Sequence, residues 1–276
     1  MILYRRYVQT LLCALPLAAG AALAQTAPEP SLPYLGQPGK NVVWVPTPLV
    51  LVEKMLDMAQ VTPKDFVIDL GSGDGRSVIA AAKRGARALG VEYNPQLVEL
   101  SKDAAAAEGV ADKARFVQGD MYQAEISQAS VLALFLLADN LLKLEPKFRK
   151  LKPGTRIVTN TFEIPGWDPV EVGRAEGDCG GWCTAYLYIV PPKVAGTWHF
   201  AHGILELEQD FQTISGTLAS SDGAPSPIRN ARLKGDQISF SAGMTHYIGR
   251  VRGNSIRGRS EGAASGSWRA VRENPM

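Results

Sequence analysis

The apolar residues of this chain change rhythm near residue 195. Before it, short unbroken apolar runs alternate with stretches of helical spacing. After it, apolar and polar residues alternate one by one between glycine turns. In the first half, 66–70, 88–92, 114–119, 130–137 and 155–160 read as buried strands. Between them lie helices. Thr47 followed by Pro48 is a cap with proline at the first helical position, opening a helix to about residue 59. A second helix spans 76–84 and closes at Gly85. Asn94-Pro95 repeats the cap device for a third, ending at Gly109. The fourth, 140–151, is expected to break or kink near Pro146. Strands alternating with helices predict right-handed crossovers and a parallel sheet covered on both faces. A sixth strand, 184–190, is expected to lie antiparallel at an edge.

The second half reads as strands at 197–208, 211–219, 237–242, 246–253, 255–262 and 266–272. Turns recur every eight to twelve residues, so this half is expected to be a small antiparallel all-β domain, a barrel or a curled sandwich. Trp198 and Trp268 are expected in its core. Arg250 with Arg252, and Arg257 with Arg259, should each share a strand face. Together they make either a solvated basic stripe or a docking site for an acidic protein surface. His199 and His202 should face opposite sides, which speaks against a shared metal. The expected fold class is α/β, a sheet with helices on both faces over 41–192, followed by the all-β domain over 196–276.

The first residues change the picture. Arg5 and Arg6 precede the apolar stretch 10–23, and Ala22-Leu23-Ala24 gives an A-x-A cleavage pattern. Residues 1–24 therefore read as a signal peptide, with export to the periplasm expected. A retained leader would instead make a cytoplasm-facing membrane anchor. Residues 25–40, "QTAPEPSLPYLGQPGK", read as a proline-rich linker. Loss of the two leader arginines takes the formal charge from +2 to about zero, which gives no global pull toward nucleic acid or membrane. No stable membrane insertion and no nucleic-acid partner are expected of the remainder. Only Cys179 and Cys183 of the three cysteines lie beyond the leader. In an oxidising compartment they can form a disulfide; two buried thiols are the alternative. Their spacing offers too few ligands for a metal, and none is expected.

The stretch "DLGSGDGR" (69–76) joins the first strand to the second helix. A glycine turn at a helix N-terminus commonly holds phosphate. Asp69, beside it, would repel a pyrophosphate and suit an ammonium group. Glu92 ends the second strand, where an acid accepts hydrogen bonds from ribose hydroxyls. Asp120 and Met121, in "QGDMY", follow the third strand, at the edge where an adenine amino group would be met. The ligand fitting all of these is S-adenosylmethionine, which carries a ribose, an adenine and an amino-acid tail but no phosphate. The turn Gly71, Ser72, Gly73 and Gly75 lets the backbone approach that tail closely.

Residues 41–192 resemble class I methyltransferases, and within these the group containing the mitochondrial lysine methyltransferase of the ATP synthase c-ring protein and its bacterial relatives. The matching stretches are "VPTP" (45–48), "DLGSGDGRSVIAAAK" (69–83), "GVEYNPQLVELS" (90–101), the acid of "QGDMY", and "LFLLADNLLKLEPKFRKLKPGTRIVTNTF" (134–162). The group's proline after the fourth strand is replaced here by Ala138. The resemblance implies a Rossmann-like sheet, S-adenosyl-L-methionine as cofactor, and a protein or small-molecule methyl acceptor. It places the acceptor just past the fourth strand, which makes Asp139 and Asn140 the candidate catalytic residues; both also suit the cap of the following helix. Glu163 and Trp167 come second, as a carboxylate and a pocket wall. All three histidines fall after residue 195, so the first half has none to act as base. The expected function is methylation of a protein lysine. A small metabolite or envelope molecule as acceptor, or an exported binding protein without turnover, are the competing readings.

Overall fold

A computed structural model describes residues 33–41, 43–201, 203–220 and 224–273. The expected leader, the first part of the expected linker, and His202 lie outside the described residues. The chain runs α1 (Leu49–Met58), β1 (Phe66–Leu70), α2 (Arg76–Lys83), β2 (Arg87–Glu92), α3 (Pro95–Ala107), β3 (Ala114–Gln118), β4 (Val131–Leu134), α4 (Ala138–Phe148), β5 (Arg156–Asn160), β6 (Glu171–Arg174) and β7 (Thr184–Ile189). These strands form one sheet in the order β3-β2-β1-β4-β5-β7-β6. β1 to β5 are parallel. Apolar side chains fill both faces of the sheet, with Leu51, Leu56, Val78 and Ala81 in one cluster and Leu134, Leu141, Leu144 and Phe148 in the other.

Two expectations fail here. β7 is antiparallel to β5, as expected, but it is not the edge strand. β6 pairs outside it. β6 is four residues, mostly exposed, with Gly173 against Met58 and Lys54 of α1, so it carries no apolar run to read. The fourth helix is also unbroken. It starts at Ala138 and keeps Pro146 inside its last turns, with Leu144 and Phe148 buried on either side. That packing outweighs the one hydrogen bond a proline removes.

The second half is a closed antiparallel barrel of β8 (Gly196–Phe200), β9 (Gly203–Asp210), β10 (Thr213–Ser220), β11 (Ser226–Lys234), β12 (Gln237–Ala242), β13 (Thr245–Arg252), β14 (Ser255–Gly262) and β15 (Gly266–Arg272). β15 pairs with β8 to close the ring, so no sheet edge is left open. Trp198, Leu205, Phe240 and Ile256 fill its core, while Trp268 is only partly buried against them. β11 was not legible, because Pro227 and three cations interrupt its alternation. Arg250, Arg252, Arg257 and Arg259 are all exposed. Arg250 lies opposite Arg257, which lies opposite Arg269, and Arg250 also pairs with Asp236 at 2.5 Å.

Candidate active site

The carboxyl ends of β1, β2 and β3 open into one cleft with about 850 Å³ of open space, within the ~300–1,000 Å³ usual for a small-molecule site. The glycine turn forms its floor. Gly71 and Ser72 donate their N–H groups to the Val91 carbonyl at 2.7 and 3.2 Å, tying the turn to β2. Gly73 and Gly75 adopt φ +56° and +80°. A Cβ at Gly73 would stand 2.6 Å from the Trp44 indole nitrogen, and one at Gly75 2.6 Å from the Phe116 ring. Both places therefore require glycine.

The expected acids surround this floor. Asp69 is 5% exposed. Burial, reinforced by the charges of Glu92 and Asp74 and opposed by a hydrogen bond from Ser77, pushes its carboxyl up to about 8. Each oxygen of Glu92 already accepts one backbone N–H, from Gly73 and from Asn94, both at 2.9 Å. Each keeps a further lone pair for a ligand. Asp120 accepts from Lys40 Nζ at 2.8 Å and from the Tyr122 N–H at 2.9 Å. The Lys40 bond is the main reason its carboxyl lies below the ordinary range. Met121 is buried and lines the cleft.

The roof was missed. Residues 34–44 lie in the region expected to be a linker or to follow it. They instead fold back on themselves through Gly36 N–H to Trp44 O (2.9 Å), Trp44 N–H to Gln37 O (3.0 Å) and a bridge between Pro38 and Val43. Gln37, Lys40 and Trp44 thereby reach the cleft. Arg76 anchors the following residues, donating to the Thr47 carbonyl at 2.8 Å while chelating Asp74. Nothing in the periodicity of a proline-rich stretch signals such a strap; the only cue is the Pro-Gly of "QPGKN".

Four buried polar atoms in this cleft have no hydrogen-bond partner among the described residues: Asp69 Oδ1, Ser72 Oγ, Trp44 Nε1 and Gln37 Nε2. An anionic acceptor, a hydroxyl and two N–H donors left unpaired in one cavity are costly unless a ligand completes them. They match an amino-acid tail, the carboxylate of Asp69 facing an ammonium and the donors facing a carboxylate. The glycine floor and the acidic rim suit S-adenosylmethionine and disfavour a polyphosphate.

The cleft thus gathers Asp69, Gly71, Ser72, Gly73, Glu92, Asp120 and Met121 on its walls, with Gly75 packed just behind. Asp139 and Asn140 do not line it. Asp139 is exposed in the first turn of α4, and the cap position is Leu137. Asn140 is buried and donates to the Tyr122 hydroxyl at 2.7 Å. Trp167 is no pocket wall either: it is buried between Tyr188 and Phe211. Glu163 is exposed and hydrogen-bonds Tyr186.

What borders the cleft past β4 is aromatic. Phe135 lines it and also touches two further rings. Its centroid is 6.4 Å from that of Phe162 and 5.4 Å from that of Trp182; those two are 6.2 Å apart. Phe162 is turned off the end of β5 by Thr161, a β-branched residue at φ +61°. This strained backbone is held by Thr161 N–H to Thr184 O (2.7 Å) and Thr159 Oγ1 to Phe162 O (2.6 Å). Trp182 sits in the β6–β7 loop, which a Cys179–Cys183 disulfide closes with Cα atoms 5.3 Å apart.

Known proteins match this architecture. The family described as the ANTKMT methyltransferase domain matches residues 69–171. A protein-lysine N-methyltransferase of Saccharolobus islandicus is 42% identical over 153 residues, 54% of this chain and 94% of that enzyme. The Homo sapiens lysine N-methyltransferase of the ATP synthase c-ring protein is 38% identical over 130 residues, 47% of this chain and 55% of that enzyme. A solved Salinibacter ruber structure, described as an RNA methyltransferase with S-adenosyl-L-homocysteine, is 41% identical with TM-score 0.50, covering 54% of this chain and 96% of that one. With nearly the whole length of the archaeal and Salinibacter proteins matched, and a cleft whose unpaired atoms fit their cofactor, this chain belongs to the S-adenosylmethionine-dependent methyltransferases related to protein-lysine N-methyltransferases.

Proposed function

We propose that this methyltransferase acts on the side-chain amine of a protein lysine. The observation that carries the reading is the archaeal relative, a protein-lysine N-methyltransferase matched over almost its full length. The cleft supports it chemically. Bound S-adenosylmethionine supplies a methyl group on a sulfonium, already a good leaving group. The chain's task is then to hold, align and dry the reacting groups. Asp69 pairs with the ammonium of the tail, and the free lone pairs of Glu92 meet the ribose. Met121 and Phe135 close the cleft against water on the β3 and β4 sides. A lysine ammonium attacks only after losing its proton. An apolar aromatic border lowers its pKa and favours that loss without a dedicated histidine.

Methyl transfer from tritiated S-adenosylmethionine to an envelope extract tests this. Label on protein, resistant to nuclease and recovered on lysine after hydrolysis, is expected. The description of the Salinibacter relative favours RNA as the second reading; label removed by nuclease would replace lysine with RNA.

We further propose that the protein works outside the cytoplasm. The leader pattern of residues 1–24 and a disulfide, a bond that persists in oxidising compartments, support this. Protease added to intact spheroplasts should digest the protein. Full protection would place it in the cytoplasm.

A further inference from the structure

We propose that Phe135, Phe162 and Trp182 form the entry through which the acceptor's alkylammonium side chain reaches the cofactor, and that the Cys179–Cys183 bridge positions Trp182 in it. The inference deepens the lysine reading above and rests on it.

The three rings come from separate segments: the ends of β4 and β5, and the β6–β7 loop. All three are half-buried, and every pair of centroids lies within 6.4 Å. Only Phe135 also lines the cofactor cleft, so the trio extends that cleft outward on one side. No charged or hydrogen-bonding side chain belongs to the trio itself. Such a wall has two properties a lysine needs. The rings pack along its methylene stem, and their π-faces attract the cation on the way in. A phosphodiester or a carboxylate gains nothing from it. Trp182 is the least supported of the three by regular structure. Its loop contains Gly180 and Gly181, both at positive φ, and is held by Trp182 N–H to Cys179 O (2.8 Å), Ala175 N–H to Cys183 O (2.9 Å) and the disulfide. Without the bridge a glycine-rich loop of this length samples many conformations, and the third ring leaves the entry.

The test uses the full chain saturated with S-adenosylhomocysteine and follows indole N–H resonances by NMR. The Trp182 signal is assigned by its loss in Trp182→Phe. The probes are Nα-acetyl-lysine amide and Nα-acetyl-norleucine amide, which keeps the stem and lacks the cation. The lysine probe should shift the Trp182 signal saturably. It should bind about tenfold more weakly in Phe162→Leu and in Trp182→Leu. The same loss is expected on reduction by dithiothreitol. That reaction gives two protein thiols with two electrons and two protons from the reagent, which closes to its own disulfide. Calorimetric affinity for S-adenosylhomocysteine should stay within about twofold throughout, which also shows that each variant is folded. Unchanged lysine-probe affinity in the variants, or after reduction, overturns the entry while leaving the lysine reading standing. A wild type that binds S-adenosylhomocysteine and does not favour the lysine probe over the norleucine probe overturns both.

Discussion

Asp69 carries the most unusual chemistry in the cleft, and its pH dependence has a definite sign. Its ordinary value is 3.8, and burial first, then the Glu92 charge, raise it to about 8 in the fold. A folded-state pKa above the unfolded one contributes stability that is complete below about pH 4 and lost as pH rises through about 8. The melting temperature of the ligand-free protein should therefore fall over that window more steeply in wild type than in Asp69→Asn. The cofactor reverses the sign, because its ammonium pairs with the ionised carboxylate. S-adenosylmethionine affinity should rise by up to about tenfold per pH unit near neutrality and level off toward pH 8. Calorimetry across that range measures it, and a flat wild-type profile would remove Asp69 from the ammonium site. A second residue-scale effect is purely steric. Gly75→Ala places a Cβ 2.6 Å from the Phe116 ring and 2.9 Å from Ser101, at φ +80°. Urea denaturation should show a loss of about 2–5 kcal/mol. Asp69, Glu92 and Asp120 were legible in the sequence because each falls at the carboxyl end of a strand with a clear apolar run. Trp44 and Gln37 were not, because they reach the cleft by a fold-back of the chain that no periodicity encodes.

At the scale of elements, legibility followed burial. β1, β2, β4 and β5 show because a strand covered on both faces must be apolar throughout. β6 and β11 stay hidden because one is short and exposed and the other is interrupted by proline and charge. Missing β6 is what made β7 look like an edge. The fourth helix shows the same limit at its start. The polar pair Asp139-Asn140 suggests a cap, yet the helix already begins at Ala138, and Leu137 takes the cap position without a side-chain bond. Asp139 then acts as a first-turn acid against the helix dipole. Asp139→Ala should lower stability by no more than about 1 kcal/mol and leave calorimetric cofactor affinity unchanged. A tenfold loss of affinity would return Asp139 to the site. Sequence spacing allowed either a disulfide or two free thiols at Cys179 and Cys183. The structure resolves this because the β6–β7 hairpin brings their Cα atoms to 5.3 Å, within bonding range.

For the whole molecule, the question is whether the barrel is a passenger or is coupled to the catalytic half. The tip of the β9–β10 hairpin argues for coupling. Phe211 there packs edge-on against Trp167, with centroids 4.5 Å apart and planes at 81°, and the Arg149 guanidinium lies 4.6 Å from its ring centroid. Gln212 exchanges two hydrogen bonds with the Asp168 backbone, at 2.9 and 3.1 Å. Arg149 pairs with Asp210 at 2.7 Å, and Arg232 pairs with Asp168. Gln209 also holds the connecting segment, accepting from Val194 N–H at 2.6 Å and donating to Pro192 O at 3.0 Å. The barrel has its own apolar core, separate from the two clusters of the sheet, so each half has the means to melt alone. What joins them is largely one aromatic contact and the bonds around it. Phe211→Ala should remove about 2–4 kcal/mol of that coupling. Calorimetry should then resolve two thermal transitions where wild type shows one. The methyl-transfer rate measured below the first transition should be unchanged, since Phe211 lies outside the cofactor cleft. A single transition at the wild-type temperature would mean that the hairpin tip is not what couples the barrel to the sheet.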